Sequence, residues 1–362
     1  MEKLKYHAKG LGRIFIFLVL LSAIVWRLHF WFLPPSVDLE NTIGFYNEPA
    51  NSLDAVYIGG SASFVYWEPL KAFEDYGIAS YNFGVNTIQA ETYLYRIQEV
   101  LKTQSPELII IDARAFQYRD NEQPPSEVAY RNAITGAPLS PERYNFIMEN
   151  VPKYLQDDTI DYHIDLFKYH SRTSDFRAKY SLKMATGRYR NSYKGFFFVP
   201  KVEPIPRYDF ATTAEVFPSD ATIDVLDKLL SFLHGTSQKY LFVVSPYSEK
   251  SEHKAVFNYI ARRVRESGYD FLDSNDYADQ MALNYDTDFY NYNHVNIYGA
   301  DKYTDFLATY LQQHYQLPDR RHDEHYQEWH TLLPKWHAKV GEAKATIDNK
   351  LKEQNAAFTV SE

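Results

Sequence analysis

Two uninterrupted apolar runs, Leu108-Ile109-Ile110-Ile111 and Tyr240-Leu241-Phe242-Val243-Val244, set the strongest limit on what this 362-residue chain can build. A strand that is apolar at every position must be covered on both faces, which is the condition of a parallel sheet packed between helices. Shorter runs at Asp54–Gly59, Ala79–Phe83 and Tyr269–Leu272 read as further strands. Between them, Tyr66–Tyr76, Ala90–Leu101, 219–234, His253–Ser267 and Gly299–His314 carry helical periodicity, with Ser219-Asp220 as a capping start. Strands alternating with helices predict an α/β fold with a doubly wound parallel sheet and a site at the carboxyl ends of its strands.

The N-terminus has a different character. Lys3, Lys5, Lys9 and Arg13 face a single acid, Glu2, and precede Ile14-Phe15-Ile16-Phe17-Leu18-Val19-Leu20-Leu21-Ser22-Ala23-Ile24-Val25-Trp26. Arg27 and His29 interrupt before Phe30-Trp31-Phe32-Leu33 resumes. A span needs about 20 mostly apolar residues, which Ile14–Leu33 supplies if Arg27 snorkels. A basic flank, an apolar core and an aromatic belt predict a transmembrane signal anchor with a cytoplasmic N-terminus and the rest outside. A cleaved signal peptide is the alternative, but no small-x-small site follows the run.

The expected organisation is a basic stub and anchor over 1–35, a polar linker over 36–52 and the α/β domain over 53–317. A C-terminal helical tail over 318–362 follows. Residues 120–207 break the alternation and read as an aromatic, partly helical insertion near the active edge. In the tail, Trp329, Leu332, Leu333, Trp336, Val340, Ile347 and Leu351 punctuate a polar helix over 326–355, which reads as a docking or surface helix.

Composition removes several function classes. The net charge of -9 argues against nucleic acid, whose phosphates require a basic face. The absence of cysteine excludes disulfides, thiolate metal sites and a Cys nucleophile. The 31 Tyr and 24 Phe fit either a large core or a carbohydrate-binding surface. In the tail, His322 and His325 share a helical face, with His330 and His337 further on, but spacing fixes no third ligand, so no metal and no cofactor is expected.

Two local features together point to chemistry. Ser61 follows an apolar strand and two glycines in Ile58-Gly59-Gly60-Ser61, where the backbone turns sharply and a substrate can approach. By itself such a serine reads as a helix cap, and Ser63 is a competing nucleophile. His294, in Asn291-Tyr292-Asn293-His294, sits on a polar loop before the last helix. A serine after the first strand and a histidine before the last helix meet at one sheet edge, as acyl transfer by a Ser–His pair requires. The group orienting His294 is either Asn291, three residues before it, or Asp288, three further back. Gly84 ends the second strand, followed by Val85-Asn86, and can offer an amide to an oxyanion. Arg114, after the third strand, and Asn86 are the candidate substrate-binding residues.

Taken together, these segments resemble the SGNH/GDSL hydrolase superfamily in its membrane-anchored bacterial branch. Ile58-Gly59-Gly60-Ser61 resembles the first block, Tyr81-Asn82-Phe83-Gly84 the second, and Asn291–His294 the Asp-x-x-His block, here with Asn for Asp. Asn296–Thr304 resembles the helix entry that follows. The Gly-x-Asn-Asp third block is missing, and Asp112-Ala113-Arg114 stands near its place. The likeness runs over roughly 53–321. It implies a flavodoxin-like three-layer fold, an acyl-Ser61 intermediate, His294 as base then acid, and the amides of Ser61 and Gly84 as oxyanion hole. The branch is similar to proteins of D-alanyl-lipoteichoic acid transfer and of alginate O-acetylation. That similarity implies an esterase or O-acyltransferase acting on a cell-surface polysaccharide or teichoic acid, beside a membrane-bound O-acyltransferase. The second reading is a catalytically weak scaffold that binds the polymer and that acyltransferase.

Overall fold

The computed structural model describes residues 2–120, 126–152, 155, 160–172 and 178–360. Parts of the expected 120–207 insertion, namely 121–125, 153–154, 156–159 and 173–177, lie outside the described residues. The chain begins with α1 (Glu2–Phe32) and α2 (Val37–Tyr46). It continues through β1 (Ala55–Ile58), α3 (Ser61–Phe64), α4 (Pro69–Tyr76), β2 (Ser80–Asn82), α5 (Thr92–Thr103) and β3 (Leu108–Asp112). Six helices follow: α6 (Arg114–Asp120), α7 (Glu127–Ile134), α8 (Pro141–Asn150), α9 (Ile160–His163), α10 (Asp165–Tyr169) and α11 (Ala178–Ala185). Then come α12 (Asp220–Leu233), β4 (Lys239–Val244), α13 (Ser251–Glu266) and β5 (Asp270–Asp273). The last elements are β6 (Phe289–Asn291), β7 (His294–Val295), α14 (Ile297–His314) and α15 (Gln327–Val360).

Five strands pair in parallel in the order β2-β1-β3-β4-β5. The order reverses between β1 and β3, so their carboxyl ends flank a crevice, the usual ligand position in doubly wound sheets. The apolar runs are buried on both faces, as their composition requires. Val56, Ile58, Ile109, Ile111, Phe242 and Val244 pack into one cluster with α5, α12 and α13. Their neighbours Tyr57, Ile110, Leu241 and Val243 pack into another with α14.

One segment differs from expectation. The 36–52 stretch holds α2, not only linker. Ser36 caps it by accepting from Leu39 N at 3.1 Å, and Leu39, Ile43 and Phe45 are buried. Phe45 stacks on Phe83 with ring centroids 4.0 Å apart. Its period-3.6 apolar positions are too few to stand out beside the anchor. The tail helix α15 packs on the domain: Trp329 and Trp336 join the first cluster, and Ala343 and Ile347 the second. α1 contains one stretch, Lys9–Phe32, long and apolar enough to cross a membrane.

Candidate active site

β1 ends at Ile58, and the chain turns through Gly59-Gly60 into the single turn of α3. Gly60 is the N-cap and Ser61 the first helical residue, so the serine does not cap the helix. Its Oγ lies 2.6 Å from His294 Nε2. The Ser61 N–H has no partner among the described residues and points from a helix start, where the partial charge is positive. Ser63 is fully buried and donates its hydroxyl to the Gly60 carbonyl at 2.7 Å, closing the turn.

His294 lies on the antiparallel β6–β7 hairpin, opposite Asn291. Its Nδ1 is 3.0 Å from Asn291 Oδ1, and the same oxygen accepts from Asn293 N–H at 2.9 Å. A backbone N–H can only donate, so the amide atom facing it is the oxygen, and Nδ1 must carry the ring proton. The lone pair is then on Nε2, aimed at the Ser61 hydroxyl. Tyr290 stacks on the imidazole at 5.4 Å between ring centroids.

Charge around the imidazole favours the neutral ring. Burial, and after it the nearby positive Arg114, pull the His294 pKa down to about 3. Arg114, the first residue of α6 just past β3, is buried, donates to the Asn293 carbonyl at 2.9 Å and lies over the Tyr247 ring at 4.4 Å. The Tyr66 hydroxyl is 2.8 Å from that same Asn293 carbonyl and 2.8 Å from the Pro246 carbonyl. The turn bearing His294 is thus held by a guanidinium from the start of α6 and a phenol from the α3–α4 connection. Asp112 accepts from Gly60 N at 3.4 Å and from Arg114 N at 3.0 Å, and burial raises its pKa.

The structure brings Ser61, His294, Asn291 and Arg114 together. It places the other candidates elsewhere. Asp288 is buried beneath the hairpin, pairs with Lys302 at 2.7 Å and accepts from Asn284 N at 2.7 Å, so its carboxylate is spent away from His294. Asn86 is turned to α2, giving its backbone and side-chain N–H groups to Asp38 Oδ1 at 2.6 and 3.0 Å. Gly84 packs against the Ser63 turn: an added Cβ would lie 2.3 Å from Ser63 Oγ and 3.0 Å from the Gly59 carbonyl. The close approach of β2 to β1 thus requires glycine there, and the Gly84 N–H has no partner among the described residues. Three of the four tail histidines are engaged singly, His325 with Asp323, His330 with the Arg321 carbonyl and His337 with Glu74.

Tyr66, Tyr290 and Asp112 are members that sequence reasoning did not assign. The position of Tyr290 directly before Asn291 was the only local signal. Tyr66 acts through long-range contacts that no spacing reveals, as does Asp112 in its contact with the Gly60 N–H. Comparison with protein-family models, curated proteins and solved structures finds no match.

Proposed function

We propose that this chain is a serine esterase or O-acyltransferase working through an acyl-Ser61 intermediate. The observation that carries the reading is the Ser61–His294–Asn291 chain of hydrogen bonds at the carboxyl edge of β1, with the ring tautomer fixed for base action. In the reaction, His294 Nε2 takes the Ser61 proton as Oγ bonds to the acyl carbon. The carbonyl electrons move to oxygen, which faces the free Ser61 N–H. The imidazolium then returns the proton to the departing alkoxide, leaving acyl-Ser61. A hydroxyl of an acceptor, or water, is deprotonated by the same Nε2, attacks the ester and restores Ser61. Neutral Asn291 orients the ring throughout but offers the imidazolium no opposing charge.

The anchor-like α1 and the resemblance in the sequence support an extracytoplasmic enzyme acting on a cell-surface polysaccharide or teichoic acid, beside a membrane-bound O-acyltransferase. One observation favours the scaffold reading: Arg114 and burial both oppose the imidazolium that catalysis must form. Fluorophosphonate labelling of the full chain, with intact-mass detection, tests the choice. Adduct formation at Ser61, lost in Ser61→Ala, supports the enzyme. An unlabelled, folded protein that is also inert to aryl esters supports the scaffold.

A further inference from the structure

α1 does not stand clear of the domain. Leu21, Ser22 and Val25 on its flank form one wall of a groove of about 350 Å³, and Ala137, Leu139 and Ile164 of the insertion form the other. At 1.5 Å rise per residue, Val25 lies about 10 Å and Leu21 about 16 Å before the helix end at Phe32. The groove therefore sits along the apolar span, below its aromatic end, and both walls share that depth. We propose that this groove holds a lipid acyl chain and that the adjoining insertion helices enter the outer part of the bilayer. The proposal rests on the reading that α1 crosses a membrane, and is separable from any role of Ser61.

The lining chemistry fits a hydrocarbon occupant. The charges at the groove are neutralised inside the protein. Arg143 pairs with Asp165 at 3.0 Å and donates to the Ala137 and Tyr162 carbonyls, while Asp165 also accepts from Gly136 N. Ionic groups at bilayer depth require such mutual pairing. The insertion exposes apolar side chains that water would not favour: Leu139 in the groove wall at 56%, and Ile160 at 52%, Phe167 at 48% and Leu182 at 52% on α9, α10 and α11. α10, which carries Phe167, and α11, which carries Leu182, lie against α1, and Leu139 meets Leu21, Ser22 and Val25 across the groove; α1 is itself an exposed apolar surface, with Phe15 at 68%. Continuity with a span, at its own depth, assigns lipid as the occupant.

The chain contains no cysteine, so single-cysteine probes report one site each. The full chain would be reconstituted in phosphatidylcholine–phosphatidylglycerol vesicles with a bimane label at Phe15→Cys, Leu139→Cys or Phe217→Cys, the last an exposed site against Tyr259 on α13. Quenching by an acyl-chain nitroxide lipid is compared with quenching by a water-soluble nitroxide. The Leu139 probe should match the Phe15 probe, with lipid quenching at least about twofold above that at Phe217. Adding Ser22→Trp, which fills the groove, should lower lipid quenching at Leu139 by about half and leave Phe15 unchanged. Lipid quenching at Phe15 but aqueous quenching at Leu139 overturns the proposal while the span survives. Aqueous quenching at both sites removes span and groove together. Quenching at Leu139 that ignores Ser22→Trp overturns the acyl-chain groove.

Discussion

His294 Nε2 meets Ser61 Oγ at 2.6 Å across 233 residues of chain. The contact exists because β1 and the β6–β7 hairpin deliver their ends to the same side of the sheet, and because Arg114 and Tyr66 grip the Asn293 carbonyl next to the histidine.

Ser61→Ala should abolish fluorophosphonate labelling and aryl-ester turnover while leaving the melting temperature nearly unchanged, since Ser61 is only partly buried. Ser63→Ala should do the opposite. It removes a buried hydrogen bond to the Gly60 carbonyl, costing about 1 kcal/mol of stability, and keeps labelling. Activity lost in Ser63→Ala but retained in Ser61→Ala would reverse the assignment.

Asn291→Asp should raise turnover of an aryl ester, because it places a negative charge on the Nδ1 side of the imidazolium. The gain should be about tenfold or more, yet well short of the ~10⁴ seen when an amide in this place also imposes the wrong tautomer. Here Asn293 N–H already holds Oδ1 toward the ring. Asp288→Asn should leave turnover intact and lower thermal stability, since it weakens the pair with Lys302. A drop in turnover larger in Asp288→Asn than in Asn291→Ala would refute this division of roles.

The pH profile should lack the usual histidine limb. With the His294 pKa drawn down to about 3, the base stays neutral well below the ordinary value near 6.5. kcat/KM for a neutral ester should therefore remain flat from about pH 8 to about pH 5. Replacing the positive neighbour, as in Arg114→Gln, should move the acid limb upward. The same shift acts on stability. Between about pH 6.5 and 3 the unfolded chain binds a proton at His294 that the folded chain refuses. That contribution is intact above the unfolded value and is lost as pH falls toward 3. An acid limb centred near 6.5 would show that the ring is not shielded as described.

Truncation should expose the role of α2. A chain starting at Ser36 keeps the cap to Leu39 N and the buried Leu39. A chain starting at Asn41 loses both, together with Asp38, which holds Asn86. The shorter chain should be less stable by several kcal/mol, as loss of a buried leucine alone costs about 2–5 kcal/mol. Matching melting temperatures for the two would mean that α2 is dispensable.

The five strands of the parallel sheet, the helices α4, α5, α12, α13, α14 and α15 and the anchor-like α1 were legible in the sequence, because each rests on a local rule: apolar runs for buried strands, a 3.6-residue period for helices, length for a span; α2, α3, α6–α11 and the β6–β7 hairpin were not. The candidate serine and histidine were legible too, through the glycine turn before Ser61 and the polar loop around His294. What local rules left open was decided by long-range contacts. Asn291 orients the histidine, not Asp288, because the hairpin register sets Asn291 opposite His294 while Lys302 of α14 draws Asp288 beneath. Ser63 is structural because Gly84, just past β2, closes on it. Asn86 faces α2, and α2 itself is core, because Phe45 finds Phe83 on another element. Sequence alone determined the five sheet strands, the main helices and the one stretch long and apolar enough to cross a membrane, since backbone and burial preferences act over neighbours. The pairing of side chains across 48 to 233 residues was fixed only by tertiary packing, where register and burial select one partner among several chemically adequate ones.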